Sequence, residues 1–225
     1  MSNESIKHDI AWRCARELTS GVVNLGIGIP SLVSNYLPQG MVTLHSENGV
    51  LGVGPLATED NIDPELVNAG RLPITLLPHA SIFDISMSLG MMRGGHLDAT
   101  VIGALQVAEN GDLASWAIAG KDVLGVGGAM DLVVGARRVI VAMTHLTDKG
   151  EAKILPNCTQ PLTAKKRVDT IVTQYAVFKI REGTLWLVEM VEGISFDQLK
   201  AMTPASYEIA PDFKIMNRMR GKHVV

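Results

Sequence analysis

The sequence predicts an α/β protein of three layers, α/β/α, built on a mostly parallel mixed sheet. Three observations predict it. Short apolar runs alternate with stretches of helical periodicity, glycine or proline punctuates most junctions, and two late apolar runs flank a tight polar turn. Alternation of this kind favours parallel strands covered by helices, and the late pair adds an antiparallel edge.

Taken in order, Ile6, Ile10, Cys14 and Leu18 share one helical stripe after Asn3 or Ser5 as N-cap, and the stripe stops at Gly21. Val22 to Ile29 reads as a buried strand that Gly26 and Gly28 turn into a helix begun by Pro30 and ended by Pro38. Met41 to His45 and Ile74 to Pro78 are further strands, and Ser81 with Asp84 reads as a capping box for a helix through Met92. Ala99 to Val107 and Val139 to Thr144 are strands with a helix, Ala129 to Arg137, between them, and Glu109-Asn110-Gly111-Asp112 suggests a hairpin. From Val168, the runs ending at Ile180 and spanning Leu185 to Val191 flank Arg181-Glu182-Gly183 as a terminal antiparallel pair. With no repeat or linker in sight, residues 1–225 read as a single domain, with 210–225, carrying Lys214, Arg218, Arg220 and Lys222, as a frayed tail or docking arm.

Composition removes several function classes. At 225 residues, 47% apolar and 19% charged, the chain can bury a sizeable core. A net charge of −3 without a Lys/Arg-dense run argues against nucleic acid as a partner. No 18-residue apolar stretch suggests a membrane span, and the polar N-terminus does not read as a signal peptide, so the expected location is the cytoplasm. Cys14 and Cys158 form neither a disulfide framework nor a zinc pattern and read as structural thiols.

Four segments carry chemistry-bearing residues. In SENGVLGVGP, Glu47 stands where a strand runs into a glycine-rich loop, either as a solvated turn residue or as a nucleophile with close backbone access. NLGIGIP follows a strand and opens a helix but lacks the third glycine and downstream acid of a dinucleotide site. In RGGHLD, His96 and Asp98 read as a hydrogen-bonded pair anchoring a turn rather than a metal site. In GVGGAMDLV, glycines before a helix N-terminus expose N–H groups, either to hold a developing oxyanion or as a packing turn.

These motifs, with Asn68-Ala69-Gly70, Gly103 to Val107 and Cys158 to Thr163 in this order, resemble the β subunit of family I CoA-transferases, the 3-oxoacid CoA-transferase type. The resemblance spans roughly Glu4 to Tyr207. It implies that Glu47 attacks an acyl-CoA thioester and that the enzyme passes through a glutamyl-CoA thioester, with coenzyme A as a substrate and neither cofactor nor metal. It implies Gly127 and Gly128, with the amide of Ala129, as oxyanion donors, and Asn24, Asn48, Gly49 and Arg71 as substrate or CoA contacts. Residue chemistry agrees, since a carboxylate is ionised at neutral pH and needs no base to attack. For Asn24 and Asn48, closing a turn is an equal alternative.

Two positions depart from the family pattern. His45 stands where relatives often carry Gln, and strand alternation would put it on the face of Glu47. Arg71 stands where relatives commonly carry Lys, which keeps the charge and changes its geometry. The resemblance also implies an α subunit, in an α₂β₂ assembly whose interface should look too apolar for a monomer. The substrates implied are an acyl-CoA and a short carboxylic acid, most simply a 3-oxoacid such as acetoacetate with acetate, butyrate, succinate or 3-oxoadipate. The competing readings are a non-catalytic metabolite sensor of similar fold and an acyl-CoA hydrolase or sugar-phosphate isomerase.

Overall fold

The structure is a computed structural model that describes residues 3–38, 40–120, 125 and 127–216. Helix α1 (Asn3–Ala15) leads into β1 (Gly21–Leu25), a short α2 (Ile29–Leu32) with a 3₁₀ turn (Val33–Tyr36), then β2 (Val42–Ser46), β3 (Val50–Leu56) and β4 (Ile74–Ile82). Next come α3 (Ile85–Arg93), β5 (Ala99–Ile102), β6 (Gln106–Ala108), β7 (Leu113–Ala114), α4 (Ala129–Gly135), β8 (Val139–Ala142) and β9 (Ile154–Leu155). The chain closes with β10 (Thr170–Val172), β11 (Ala176–Arg181), β12 (Thr184–Val191), α5 (Phe196–Met202) and β13 (Glu208–Met216).

Ten strands form one mixed sheet in the order β13-β12-β11-β10-β8-β5-β1-β2-β3-β4, and β7-β6-β9 form a small second sheet. The central strands β10, β8, β5, β1 and β2 are all parallel, whereas β11 pairs antiparallel with both neighbours, as does β3. Burial alternates across the sheet. In β8, Val139 and Val141 join a core with Val133 of α4 and Leu199 of α5, while Ile140 and Ala142 join one with Ile10 and Cys14 of α1. Helices therefore cover both faces, the expected three layers.

The chain leaves β1 toward β2 on one side and returns to β5 on the other. The strand order reverses at β1, and ligands of such sheets bind outside the carboxyl ends of the strands at the reversal, here β1, β2 and β5. The α1 layer is tied down by charge as well as by packing. Buried Arg13 donates to Glu189 at 2.6 Å and to Glu17 at 2.8 Å, and Lys179 reaches Glu17 at 2.9 Å.

Several expectations need correction. The run after Glu47 is a strand, because its glycines admit the close pairing and irregular register of β3 with β4. Ser81 lies inside β4, and the α3 cap is Asp84 alone, which accepts from Met87 N–H at 2.9 Å. Ala99 to Val107 breaks at residues 103–105 into β5 and β6, which belong to different sheets. The expected tail is, as far as Met216, strand β13, paired parallel to β12 through Ile215↔Met190. Residues 217–225 lie outside the described residues.

Candidate active site

Glu47 occupies a tight corner. Pairing of His45 with Leu51 and of Ser46 with Val50 leaves Glu47, Asn48 and Gly49 as a three-residue hairpin loop at the carboxyl end of β2. Gly49 takes φ 117°, its N–H donates to Ser46 O at 3.0 Å, and its carbonyl accepts from Phe83 N–H at 2.9 Å. A Cβ at Gly49 would overlap the Phe83 carbonyl, so both conformation and space demand glycine. Because β2 ends at Ser46, strand alternation does not direct the Glu47 side chain, contrary to the sequence expectation.

The Glu47 carboxylate is half-buried and, among the described residues, makes no ion pair or hydrogen bond. Burial pushes its pKa up, and the nearby charge of Asp131 pushes in the same direction. Asp131 is held by Arg93 Nε at 2.7 Å. The carboxylate lies against Gly128, where an added Cβ would overlap it. Gly128 is the N-cap of α4, and Ala129 is its first residue, so the amides of this turn have no partner within the helix. Gly127 precedes them at φ 56°, where glycine is at ease. Val126 of the same motif lies outside the described residues.

Asn24 and His45 are register neighbours on β1 and β2. Asn24 Nδ2 lies 3.2 Å from His45 Nδ1 and 3.1 Å from the His45 carbonyl. The other ring nitrogen, Nε2, is 3.0 Å from Ser88 Oγ, and Ser88 donates to the Glu47 carbonyl at 2.6 Å. His45 also stacks on Phe83, with ring centroids 6.2 Å apart. Burial drives the His45 pKa down to about 4, so the ring is neutral near pH 7.

Asn48 turns away from His45 and Ser88 and braces a neighbouring turn. Its Nδ2 donates to Val67 O at 2.8 Å and its Oδ1 accepts from Ser46 Oγ at 2.6 Å, while Ser46 Oγ accepts from Ala69 N–H at 3.0 Å. The turn itself closes through Asn68 Oδ1, which accepts from Gly70 and Leu72 N–H groups. Arg71 sits exposed on it at φ 63°. The structure thus brings Glu47, Gly49, Gly128, Asn24 and the 67–72 turn into one neighbourhood.

Other candidates stand apart. Asp98 accepts from Val22 N–H at 2.8 Å and pairs with Arg137 at 2.9 Å, so its turn is anchored without the expected His96 pairing. Both cysteines are free, and burial pushes Cys14 up to about 12 and Cys158 to about 11, as inert thiols require. An apolar hollow of about 320 Å³ beside α5, lined by Tyr175, Ile194, Gln198, Ala201 and Met202, contains none of the candidate residues. Ser88 and Asp131 were missed from the sequence. Ser88 had one signal, its i, i+4 spacing from buried Met92 on the inward stripe of α3.

Residues 7–202 match the family described as Coenzyme A transferase. The chain is 51% identical over 217 residues to the acetate CoA-transferase subunit beta of Escherichia coli (strain K12), covering 96% of this chain and 98% of that protein. To the mitochondrial succinyl-CoA:3-ketoacid coenzyme A transferase 2 of Homo sapiens it is 46% identical over 220 residues, covering 96% of this chain and 43% of that longer protein. A solved acyl-CoA transferase (YdiF) of Escherichia coli O157:H7 aligns with TM-score 0.75 at 21% identity, over 94% of this chain and 43% of that one. The decarboxylase AibA/AibB aligns with TM-score 0.70 at 17% identity, over 94% and 88%. Structural likeness at such identities speaks to fold alone, and the decarboxylase shows that this fold hosts other chemistry. Matched over most of its length and half identical to a named β subunit, the chain belongs to the coenzyme A transferase family as a subunit of the β type.

Proposed function

We propose that this chain works in an enzyme moving coenzyme A between an acyl-CoA and a short carboxylic acid, with Glu47 as the nucleophile. The observation that supports it best is the Glu47 carboxylate, unpaired among the described residues and lying against Gly128 at the start of α4. A carboxylate in an ion pair would be a poor nucleophile. One that is partly stripped of water and more basic than usual is a better one.

The reaction divides into four exchanges. Glu47 attacks the thioester carbonyl, a C–O bond forms, the C–S bond breaks and CoA leaves as thiolate. The thiolate then attacks the glutamyl carbonyl of the mixed anhydride, forming the glutamyl-CoA thioester and releasing the donor acid. The acceptor carboxylate attacks that thioester and expels CoA thiolate. Finally the thiolate attacks the acyl carbonyl of the new anhydride, giving product acyl-CoA and restoring Glu47. Each tetrahedral intermediate carries an oxyanion, for which the amides at Gly127, Gly128 and Ala129 are the donors we assign. The exposed Arg71 guanidinium is suited to a CoA phosphate.

The relatives named for acetate and for succinyl-CoA with a 3-ketoacid support a 3-oxoacid and acetate or succinate as the acids. The β-subunit names, and the longer human relative, support an α-type partner, which we place in an α₂β₂ assembly in the cytoplasm. An apolar surface supports a partner too, since Leu76, Leu77 and Ile82 of edge strand β4, with Ile85 and Met87 beyond it, are all exposed beside the Glu47 hairpin.

The test is reconstitution with the α subunit and a panel of acyl-CoA donors and acids. Hydroxylamine added after acyl-CoA should trap a modification at Glu47, and Glu47→Gln should lose nearly all turnover. Retention of more than about a tenth of the parental kcat would refute the nucleophile. Rapid CoA release with no acceptor acid would make the enzyme a hydrolase instead.

A further inference from the structure

One backbone carbonyl sets the direction of a four-member hydrogen-bond chain. The His45 carbonyl can only accept, so the Asn24 atom 3.1 Å from it is the amide nitrogen. That nitrogen also lies 3.2 Å from His45 Nδ1, which therefore accepts, and the ring proton resides on Nε2. Nε2 then donates to Ser88 Oγ across 3.0 Å. The single hydroxyl hydrogen of Ser88 is left for the Glu47 carbonyl, 2.6 Å away. Every donor points the same way, from Asn24 through His45 and Ser88 to the peptide carbonyl of Glu47.

The chain is buried along its length, with Asn24 2%, His45 3% and Ser88 0% exposed. Burying three polar side chains costs free energy that apolar residues would avoid, unless the network fixes something a hydrophobic contact cannot. What it fixes is one atom, the backbone oxygen of the hairpin's first residue. Phe83, stacked on the imidazole at an interplanar angle of 16°, holds the ring plane. Burial keeps that ring neutral, with its pKa near 4, which is the form this donor order needs.

We propose that His45 and Ser88 are positioning residues for Glu47, pinning its peptide carbonyl so that the side chain is aimed from a fixed backbone at the Gly128 turn. The inference rests on reading Glu47 as the nucleophile. During turnover its side chain is in succession a carboxylate, an anhydride and a thioester, which differ in charge and bulk. An anchored carbonyl keeps the glutamyl carbon in one place through all three, and a displacement of about 1 Å can cost about a hundredfold in rate. Because the chain ends on the backbone and not on the carboxylate, it moves no proton to or from the Glu47 side chain. It acts through geometry, and so on kcat.

The experiment uses the β chain reconstituted with its α subunit, in five variants: Ser88→Ala, His45→Phe, their double, His45→Gln and the control Glu47→Gln. Ser88→Ala removes one oxygen atom and places a better helix former in α3, so it keeps the test alive should His45→Phe fail to fold. The expected result is a fall in kcat of about tenfold or more for Ser88→Ala and for His45→Phe, with KM changed less than about twofold. The double variant should be no worse than the more impaired single, because both interrupt the one hydrogen-bond chain that ends on the Glu47 carbonyl. His45→Gln, which keeps a donor for Ser88, should recover most of the loss, and the acid limb of the pH profile should stay in place. Parental kcat in Ser88→Ala and His45→Phe beside an inactive Glu47→Gln would overturn the positioning role alone. So would strictly additive losses in the double variant, or a displaced acid limb. Parental turnover in Glu47→Gln would instead remove the nucleophile reading on which the inference rests.

Discussion

The carboxylate of Glu47 rests against the α-carbon of Gly128, two residues that lie far apart in the chain and meet where the β2–β3 hairpin faces the start of α4. Gly128 has φ −80° and ψ 1°, a conformation any residue can adopt, so its lack of a side chain is a matter of space and not of backbone strain. Gly128→Ala should therefore fold normally while displacing the carboxylate. Steady-state kinetics should show kcat reduced about a hundredfold with KM little changed. A KM effect alone would make the turn a binding element.

Burial, and then Asp131, raise the Glu47 pKa, so this carboxyl group needs a higher pH to ionise than an ordinary glutamate. The acid limb of kcat/KM against pH should accordingly lie above the usual carboxylate range. Asp131→Asn should move it downward, because the remaining cause is burial alone. Arg93, freed from Asp131, would push in the same direction.

The same shift bears on stability. A carboxylate whose folded pKa is raised binds a proton more readily in the folded state, so its cost is absent below the unfolded pKa and complete above the folded one. Glu47→Gln should raise Tm at neutral pH, and the gain should vanish below about pH 4, where the unfolded carboxylate is itself protonated. Thermal melts at several pH values check both halves of this statement.

Gly49 is constrained twice, by φ 117° and by the Phe83 carbonyl where a Cβ would sit. Gly49→Ala should destabilise the protein by about 2–4 kcal/mol, combining backbone strain with a steric overlap. Urea unfolding measures it directly, and an unchanged midpoint would show that the hairpin relaxes freely.

The Arg13 cluster gives the opposite pH sign. Burial opposes charge on Glu17, but hydrogen bonds from Lys179 and Arg13 prevail and lower its pKa. Its contribution is present above the unfolded pKa and is lost as pH falls through the lower, folded one. Glu189→Ala leaves Arg13 without a partner for Nε, and Arg13 Nη1 already has none among the described residues, so the loss should be about 3 kcal/mol. Denaturant titration of the variant checks the magnitude.

What the sequence by itself determined was local. The Ile6-Ile10-Cys14 stripe of α1, which ends at Ala15 short of the expected Leu18, the turn at Arg181-Glu182-Gly183 and the glycine junctions depend on periodicity and on turn chemistry, which neighbours along the chain carry. Glu47 was legible for the same reason, as a carboxylate between an apolar run and glycines. The tertiary structure decided what those residues meet. Strand β3 was hidden because its glycines mimic a loop until β2 and β4 pair with it, and β13 because its burial pattern is irregular and its partner β12 lies before α5. His45 could be seen as a departure but not as a link, since Ser88, 41 residues beyond the Glu47 carbonyl it holds, reaches the site only when α3 packs against the end of β2. Hydrogen-bond direction, desolvation and the space above Gly128 are properties of atoms brought together from distant segments, and linear order does not encode them residue by residue.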